Sequence, residues 1–222
     1  MRRQLRRAFT LVEILVVISI LGLLAGVLVV AIPSVFSENR DRVAQTEITL
    51  VKSSVDSFYR DLQTYPPNTF AEVARVFKSN AMMTDNNINS PAESLMFCLR
   101  TTGANGPYFN EQEVLSDGKL VNTDNDKKTQ NVSNVPGEAI PFEMADPWGN
   151  PYLYLNLKQV SARSFVFQKA DGSRITVEGK KLLEALEDKE TGRQRAQGFA
   201  LWSIGENGIN EYGEGDDIAS WR

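Results

Sequence analysis

The feature that most constrains this fold is a nearly continuous apolar stretch close to the N-terminus, residues 9–32. Over its 24 residues, only Thr10, Glu13, Ser19 and two glycines interrupt the apolar side chains. A helix rises about 1.5 Å per residue, so a segment of this length covers the roughly 30 Å hydrocarbon core of a bilayer. The sequence therefore predicts a single helix that can span a membrane.

Basic residues in front of this stretch predict its orientation. Four arginines lie in the first eight positions, with no acid among them. Under the positive-inside rule they stay in the cytoplasm, which places the C-terminal body across the membrane. In a bacterium we expect a single pass through the inner membrane and a periplasmic domain.

Two simpler interpretations of the segment remain. A cleaved secretory signal peptide has a shorter apolar core, and no small-x-small site follows before the chain turns polar at residues 37–42. A plain single-pass anchor fits the length but leaves Glu13 unexplained. A carboxylate inside the bilayer costs about 2.5–3.5 kcal/mol, so Glu13 needs a partner.

Composition narrows the function classes. Without its first eight residues the chain has 20 basic and 28 acidic side chains, a formal charge of −8. Such a body argues against nucleic acid as a partner, because phosphate binding needs a basic patch. The chain has no histidine, the commonest general base. Cys98 is its one cysteine and cannot form an internal disulfide, so we interpret it as a small buried apolar side chain.

Residues 7–13, with the sequence RAFTLVE, resemble the processing site of type IV prepilins and type II secretion pseudopilins. The resemblance implies that a prepilin peptidase cuts between Ala8 and Phe9 and methylates the new amine of Phe9. Glu13 is then the fifth residue of the mature chain. Ala8 stands where glycine is usual and should fit a site that needs a small side chain.

Cleavage would give Phe9 a cationic amine in an apolar environment. The amine of a neighbouring, axially shifted subunit can reach Glu13, and pairing neutralises two charges that are costly to leave alone. The same helix would then be first a membrane anchor and later the core of a filament. This hypothesis makes the chain its own main partner.

Downstream of Pro33, helical spacing returns over residues 34–62. The apolar stripe on this predicted amphipathic helix consists of Val43, Ile48, Val51, Val55, Phe58 and Leu62, and Glu47 is placed with the charged residues off the stripe. The helix should end near Pro66 and Pro67. Short helices are predicted at 70–77, 91–100 and 180–188, and strands at 151–157, 164–168, 174–177 and 199–204.

These patterns predict an α+β, pilin-like fold, in which a long N-terminal helix packs on a small antiparallel sheet. The predicted segments are a cleaved leader (1–8), a transmembrane and filament-core helix (9–32), its amphipathic second half (33–65) and a globular periplasmic domain (66–222). Within that domain, residues 68–144 carry few readable signals.

The C-terminal third contains two further motifs. Residues 146–152 read DPWGNPY, a turn leading into a strand, and residues 203–221 alternate glycines with acids. Both resemble the major pseudopilin of the type II secretion system. In that family a calcium ion ties the last strand's loop to an acidic C-terminal stretch.

The resemblance implies a calcium site whose expected ligands are Ile204, Asn207, Glu214, Asp216, Asp217 and Ile218, the isoleucines through their carbonyls. Asn207 stands in the place of a family aspartate, and Gly215 stands where an acid is common. Calcium binds 6–8 oxygen atoms, which this stretch offers in abundance. The alternative is a solvated acidic tail without an ion.

The leading functional hypothesis is a structural subunit, not an enzyme: the major pseudopilin of a type II secretion system. Its expected partners are copies of itself, minor pseudopilins, the inner-membrane assembly platform and the prepilin peptidase. A type IV pilus subunit is the second hypothesis. An anchored periplasmic enzyme that uses paired carboxylates is the third.

Overall fold

A computed structural model describes residues 10–78, 85–109, 118–126 and 141–222, and within 27–37 it describes the backbone alone. The chain divides into two compact units, one ending at Arg40 and one comprising Asp41–Arg222. The predicted leader and the Ala8–Phe9 junction lie outside the described residues. So does most of the sequence interpreted as a loop at 122–137.

The first helix, α1, runs from Leu11 to Leu62. Its end before Pro66 and Pro67 confirms the predicted terminus. Proline cannot donate a backbone hydrogen bond, and it disfavours a helical residue before it.

The predicted apolar stripe on the second half of α1 is largely confirmed. Its central members are at most 1% exposed: Ile48, Val51, Val55 and Phe58. Val43 is wrongly placed on the stripe, because it is 37% exposed and the neighbouring Ala44 is buried instead.

Glu47 is the second correction on this helix, since it is buried rather than solvated. Its carboxylate accepts a hydrogen bond from the Tyr152 hydroxyl (2.7 Å) and pairs with the Lys119 ammonium (2.9 Å). Partners distant in sequence therefore compensate a buried charge that helical spacing placed on the polar face.

Three shorter helices and seven strands follow in the described part of the chain. The helices are α2 (Phe70–Val76), α3 (Ser90–Arg100) and α4 (Gly179–Leu186), with a 3₁₀ turn at Leu157–Gln159. The strands are β1 (Leu120–Val121), β2 (Glu143–Met144), β3 (Leu153–Asn156), β4 (Ser164–Gln168), β5 (Arg174–Glu178), β6 (Phe199–Ser203) and β7 (Ile218–Ala219).

The expected single sheet is wrong, because the described strands form three small antiparallel sheets. These are β1–β2, the hairpin β4–β5 and the three-stranded β3–β6–β7. All four strands predicted from sequence exist, with four or five residues each, but the two-residue strands β1, β2 and β7 are too short to show a period of two. Helices and small antiparallel sheets together fit the expected α+β, pilin-like class.

The pair β3–β6 separates two hydrophobic clusters. Tyr154 and its cross-strand partner Leu201 pack with the buried stripe of α1 and with α3. Leu153 and its partner Trp202 face the opposite cluster, which contains side chains of α4 and the β4–β5 hairpin. Successive side chains of a strand point to opposite faces, so these two strands are buried on both sides.

Phe58→Ala should lower the free energy of unfolding by about 3–5 kcal/mol, the usual cost of emptying a fully buried aromatic site. Phe58 is 0% exposed, and its ring contacts those of Tyr108 and Phe77 edge to face. Urea unfolding of the full chain in detergent, followed by tryptophan fluorescence, measures the change. Val43→Ala, at an exposed position on the same helix, should change it by less than about 0.5 kcal/mol. Equal midpoints for the two variants would contradict this description of the core.

Candidate functional site

The N-terminal end of α1 is closed by a reciprocal hydrogen-bond pair. The Glu13 carboxylate accepts from the backbone N–H and the hydroxyl of Thr10, each at 2.8 Å, and the Thr10 hydroxyl accepts from the Glu13 N–H at 3.2 Å. This is a capping box, in which a threonine before the helix and a glutamate three residues later satisfy each other's free donors. Glu13 thus has a local partner within a single chain, and the predicted cleavage and methylation positions, Ala8 and Phe9, lie outside the described residues.

The helix that follows leaves its apolar side chains uncovered in the single chain. Every described side chain from Leu11 to Gly26 is exposed, and Leu11, Val12 and Leu23 are about 70–80% exposed. The Ser19 hydroxyl donates a hydrogen bond to the carbonyl of Leu15 (2.8 Å) within the helix. Among the described residues, no helix is both long and apolar enough to cross a membrane.

The acidic C-terminal stretch folds as a loop between β6 and β7. It brings together Glu211, Asp216 and Asp217, one carboxylate oxygen of each lying within 4.8 Å of the others. Asp216 and Asp217 were expected ligands. Glu211 was not, although it belongs to the same run of acids.

Asp217 is the buried member of this group, with 1% of its surface exposed. Its Oδ2 accepts from the backbone N–H groups of Glu211 (3.0 Å) and Gly213 (2.8 Å), whereas its buried Oδ1 has no hydrogen-bond partner. Burial raises the pKa of Asp217 to about 7, against the effect of these two hydrogen bonds. A buried oxygen without a partner is costly, and a bound cation would supply one.

The remaining expected ligands divide into two groups. Asn207 reaches the cluster, because its backbone N–H donates to Asp216 Oδ2 (2.8 Å) and its side-chain amide donates to Glu211 Oε2 (3.2 Å). Glu214 lies apart from it, 64% exposed and paired with Arg195 (3.4 Å) and Arg222 (3.5 Å).

Ile204 and Ile218 hold the two ends of the loop. Ile204 is buried directly after β6, and Ile218 begins β7, where it pairs with Ser203. Both therefore fix the position of the acids.

Gly215 explains why Glu211 joins the cluster. Its φ is +55°, and a Cβ there would overlap the Glu211 carboxylate. The absence of a side chain at Gly215 thus leaves the space that the Glu211 carboxylate occupies. The sequence signal that could have identified Glu211 is the glycine four residues later, because a residue without a side chain leaves room for a neighbouring carboxylate.

The DPWGNPY segment connects the loop to the rest of the domain. Asp146 Oδ1 accepts from the N–H groups of Trp148 (3.0 Å) and Asn150 (2.9 Å), and its Oδ2 accepts from the Ser203 hydroxyl (2.6 Å). At the other end of the segment, the Tyr152 hydroxyl donates to Glu47 of α1. One turn therefore ties β6, immediately before the acidic loop, to the long helix.

Gly205→Ala should destabilise the protein more than the same substitution does at a left-handed glycine with open space around it. Gly205 has φ +61°, and a Cβ there would overlap the carbonyl and carboxylate of Asp216. Gly172→Ala is the matched control, because its φ is +81° but no atom lies within 4 Å of the added Cβ. We expect about 1–3 kcal/mol of strain in each, and an additional loss for Gly205 alone. Equal urea midpoints for the two variants would contradict the close approach of Asp216.

Comparison with known families gives one match. The prokaryotic N-terminal methylation motif matches residues 3–29, which include the Ala8–Phe9 junction, Glu13 and the first part of α1. No curated protein and no solved structure matches the chain significantly. The matched residues form a type IV pilin-like prepilin signal, and this signal supports a type IV pilin-like structural subunit that is processed by a prepilin peptidase and assembles into polymers.

Proposed function

We propose that this chain is the major subunit of a type II secretion pseudopilus, a periplasmic filament that supports protein export across the outer membrane. The observation that carries the proposal is the combination of two features in one chain. The methylation motif covers residues 3–29, and a C-terminal loop gathers three carboxylates around a buried, unpartnered oxygen of Asp217. A pilin-like signal alone fits pili of every kind, whereas the DPWGNPY turn and the acidic loop favour the secretion type.

Assembly begins with cleavage between Ala8 and Phe9 and methylation of the Phe9 amine. In the single chain the Glu13 carboxylate is held by Thr10, in hydrogen bonds that involve no opposite charge. The amine of an axially shifted neighbour is a better partner, because it is charged and would otherwise be left unpaired in an apolar environment. Exchange of the capping contact for this ion pair sets the axial position of each added subunit.

The exposed apolar side chains of residues 11–26 need a cover in both stages. Before assembly, the proposal places them in the inner membrane as a single pass, with the C-terminal domain in the periplasm. After assembly, equivalent helices cover one another, so the buried apolar area is kept when the subunit leaves the bilayer. The assembly platform and minor pseudopilins are the expected partners in that transfer.

Calcium is the proposed ligand of the C-terminal loop. The donor set fits a hard cation, because it consists of carboxylate and amide oxygens without histidine or cysteine. Asp217 Oδ1, Asp216 and Glu211 would hold the ion, and water would complete the shell, because the Asn207 amide oxygen accepts from the N–H of Ile209. Neutralising three acids would fix the loop against β6 and β7.

Glu13→Gln should abolish filaments, although its amide oxygen can still accept the hydrogen bond from Thr10. The substitution separates helix capping from charge, which Glu13→Ala does not. The chain is co-expressed with the prepilin peptidase and the assembly platform, and filaments are counted by electron microscopy. Ser19→Ala is the control within the same helix, since the Ser19 hydroxyl donates to the carbonyl of Leu15 in that helix.

Both variants should remain in the membrane fraction, and mass spectrometry of the mature chain should show N-methylated Phe9. Normal filaments from Glu13→Gln would overturn the role of the charge. A chain left uncut at Ala8–Phe9 would overturn the processing step.

Calcium should slow amide exchange in the C-terminal loop, and Asp217→Asn should remove that effect. With free calcium at about 100 times Kd, a bound loop opens about 100-fold less often. Hydrogen exchange of peptides covering residues 204–219, in calcium and in EGTA, measures this directly. Glu214→Gln tests whether the arginine-paired acid takes part, and Glu184→Gln on α4 is a surface control. Unchanged exchange in calcium would contradict the site and favour an ordinary pilus subunit.

A further inference from the structure

A second group of acids lies in the middle of the chain and shares no residue with the C-terminal loop. Glu93 on α3 meets Asp124 and Asp126 from the turn after β1, with one carboxylate oxygen of each lying within 4.8 Å of the others. Acidic clusters are common on protein surfaces and bind nothing. This one differs because its central member is in the interior.

Glu93 is 1% exposed, and neither of its carboxylate oxygens has a hydrogen-bond partner. A buried polar group without a partner costs about 1–3 kcal/mol, and more when it is charged. Among the described residues, no ion pair includes Glu93, Asp124 or Asp126. The chain thus pays for a buried acid that the described residues do not neutralise.

The two aspartates are held so that one oxygen of each remains free. The Asn86 side-chain amide donates to Asp124 Oδ2 (2.9 Å) and to Asp126 Oδ1. The opposite oxygens, Asp124 Oδ1 and Asp126 Oδ2, are buried and have no partner. Together with both oxygens of Glu93, the three carboxylates of this cluster have four buried oxygens without a hydrogen-bond partner.

The backbone around the aspartates is fixed as well. The Asn122 side chain accepts from the Asp126 N–H (2.9 Å) and donates to the Asp126 carbonyl (3.0 Å). The turn therefore keeps its conformation without help from the Asp126 carboxylate. Acids that only stabilised the turn would bond its backbone, as Asp146 does in the DPWGN turn.

Electrostatics agrees with this geometry. Burial, followed by the charges of Asp124 and Glu143, raises the pKa of Glu93 to about 10. Burial and the charge of Asp124 also raise the pKa of Asp126 to about 6. Burial and mutual repulsion thus destabilise the charged forms of these acids, and a bound cation would offset both effects.

We propose that Glu93, Asp124 and Asp126 bind a divalent cation of the calcium class, at a second site independent of the C-terminal loop. The ligand set contains oxygen only, which selects hard cations over zinc or copper. Four protein oxygens leave room for water in a shell of 6–8. An ion bound there would hold the turn after β1 against α3. Both elements lie within residues 68–144, where the sequence carries few signals of secondary structure.

The test uses the full chain in detergent, with calcium stoichiometry measured by isothermal titration after treatment with EGTA. We expect two ions per wild-type chain, one for Glu93→Gln, one for Asp217→Asn and none for the double variant. Glu184→Gln should keep both. Because each variant removes a different ion, failure of the C-terminal site leaves the result for Glu93 readable: Asp217→Asn would then match the wild type, and Glu93→Gln would still lose an ion.

Hydrogen exchange locates the effect. Calcium should protect peptides covering 85–100 and 118–126 in the wild type and in Asp217→Asn, but not in Glu93→Gln. Magnesium, a smaller ion that keeps more of its own water, should protect them less at equal concentration.

Thermal melting distinguishes a cation site from a structural protonated acid. Glu93→Gln removes an unneutralised carboxylate, so in EGTA it should melt at or above the wild-type temperature and gain less from calcium. A wild-type chain whose stoichiometry and exchange at 85–100 and 118–126 match those of Glu93→Gln would overturn the proposal. A Glu93→Gln chain that unfolds in both buffers would do so too, since it would assign Glu93 a purely structural role.

Discussion

The pairing of β3 with β6 is the constraint on which the C-terminal domain depends. All five residues of β6 are buried, and the first four alternate between the α1–α3 cluster and the cluster under α4. A slip of one residue would exchange Leu201 and Trp202 between two cores of different shape, so the register is specified on both faces. Because the acidic loop leaves directly from this strand, the strand's register also fixes where the loop begins.

The same strand links the two motifs of the C-terminal third. Ser203 ends β6, donates to Asp146 and accepts from the N–H of Gly205 at the start of the loop. Tyr152 carries the connection back to Glu47 of α1. The DPWGNPY motif, which the sequence indicates only as a turn, therefore connects the long helix to β6 and to the start of the acidic loop.

The sequence predicted the helices and strands better than it predicted which side chains contact one another. The end of α1, the strands β3 to β6 and the burial of Cys98 follow from local rules on proline, periodicity and apolar runs. Glu47 and Glu211 could not be placed in the same way, because their environments are made by residues distant in the chain or by the space left at Gly215. Glu214 and Glu211 look alike in a run of acids, but in the structure arginines pair with Glu214, whereas Glu211 occupies the space at Gly215.

The middle of the chain illustrates the same limit. Residues 122–126, Asn-Thr-Asp-Asn-Asp, have the composition of a solvated turn, and Glu93 lies on a short helix whose spacing does not show which face is covered. Only the fold brings them together around buried oxygens.

A chain with one cysteine, fully buried in the core, has no disulfide with which to tie its long connections. The proposed site at Glu93 does what a disulfide does in many secreted domains, because it joins α3 to the turn after β1, whereas the C-terminal site joins acids within one loop. Both sites differ from a disulfide, because their acids repel one another until an ion binds. The stability that the ions add depends on their free concentration, whereas the β3–β6 core contributes its share under all conditions. A bound cation would therefore add to the stability of the two acidic segments, beyond what the core supplies.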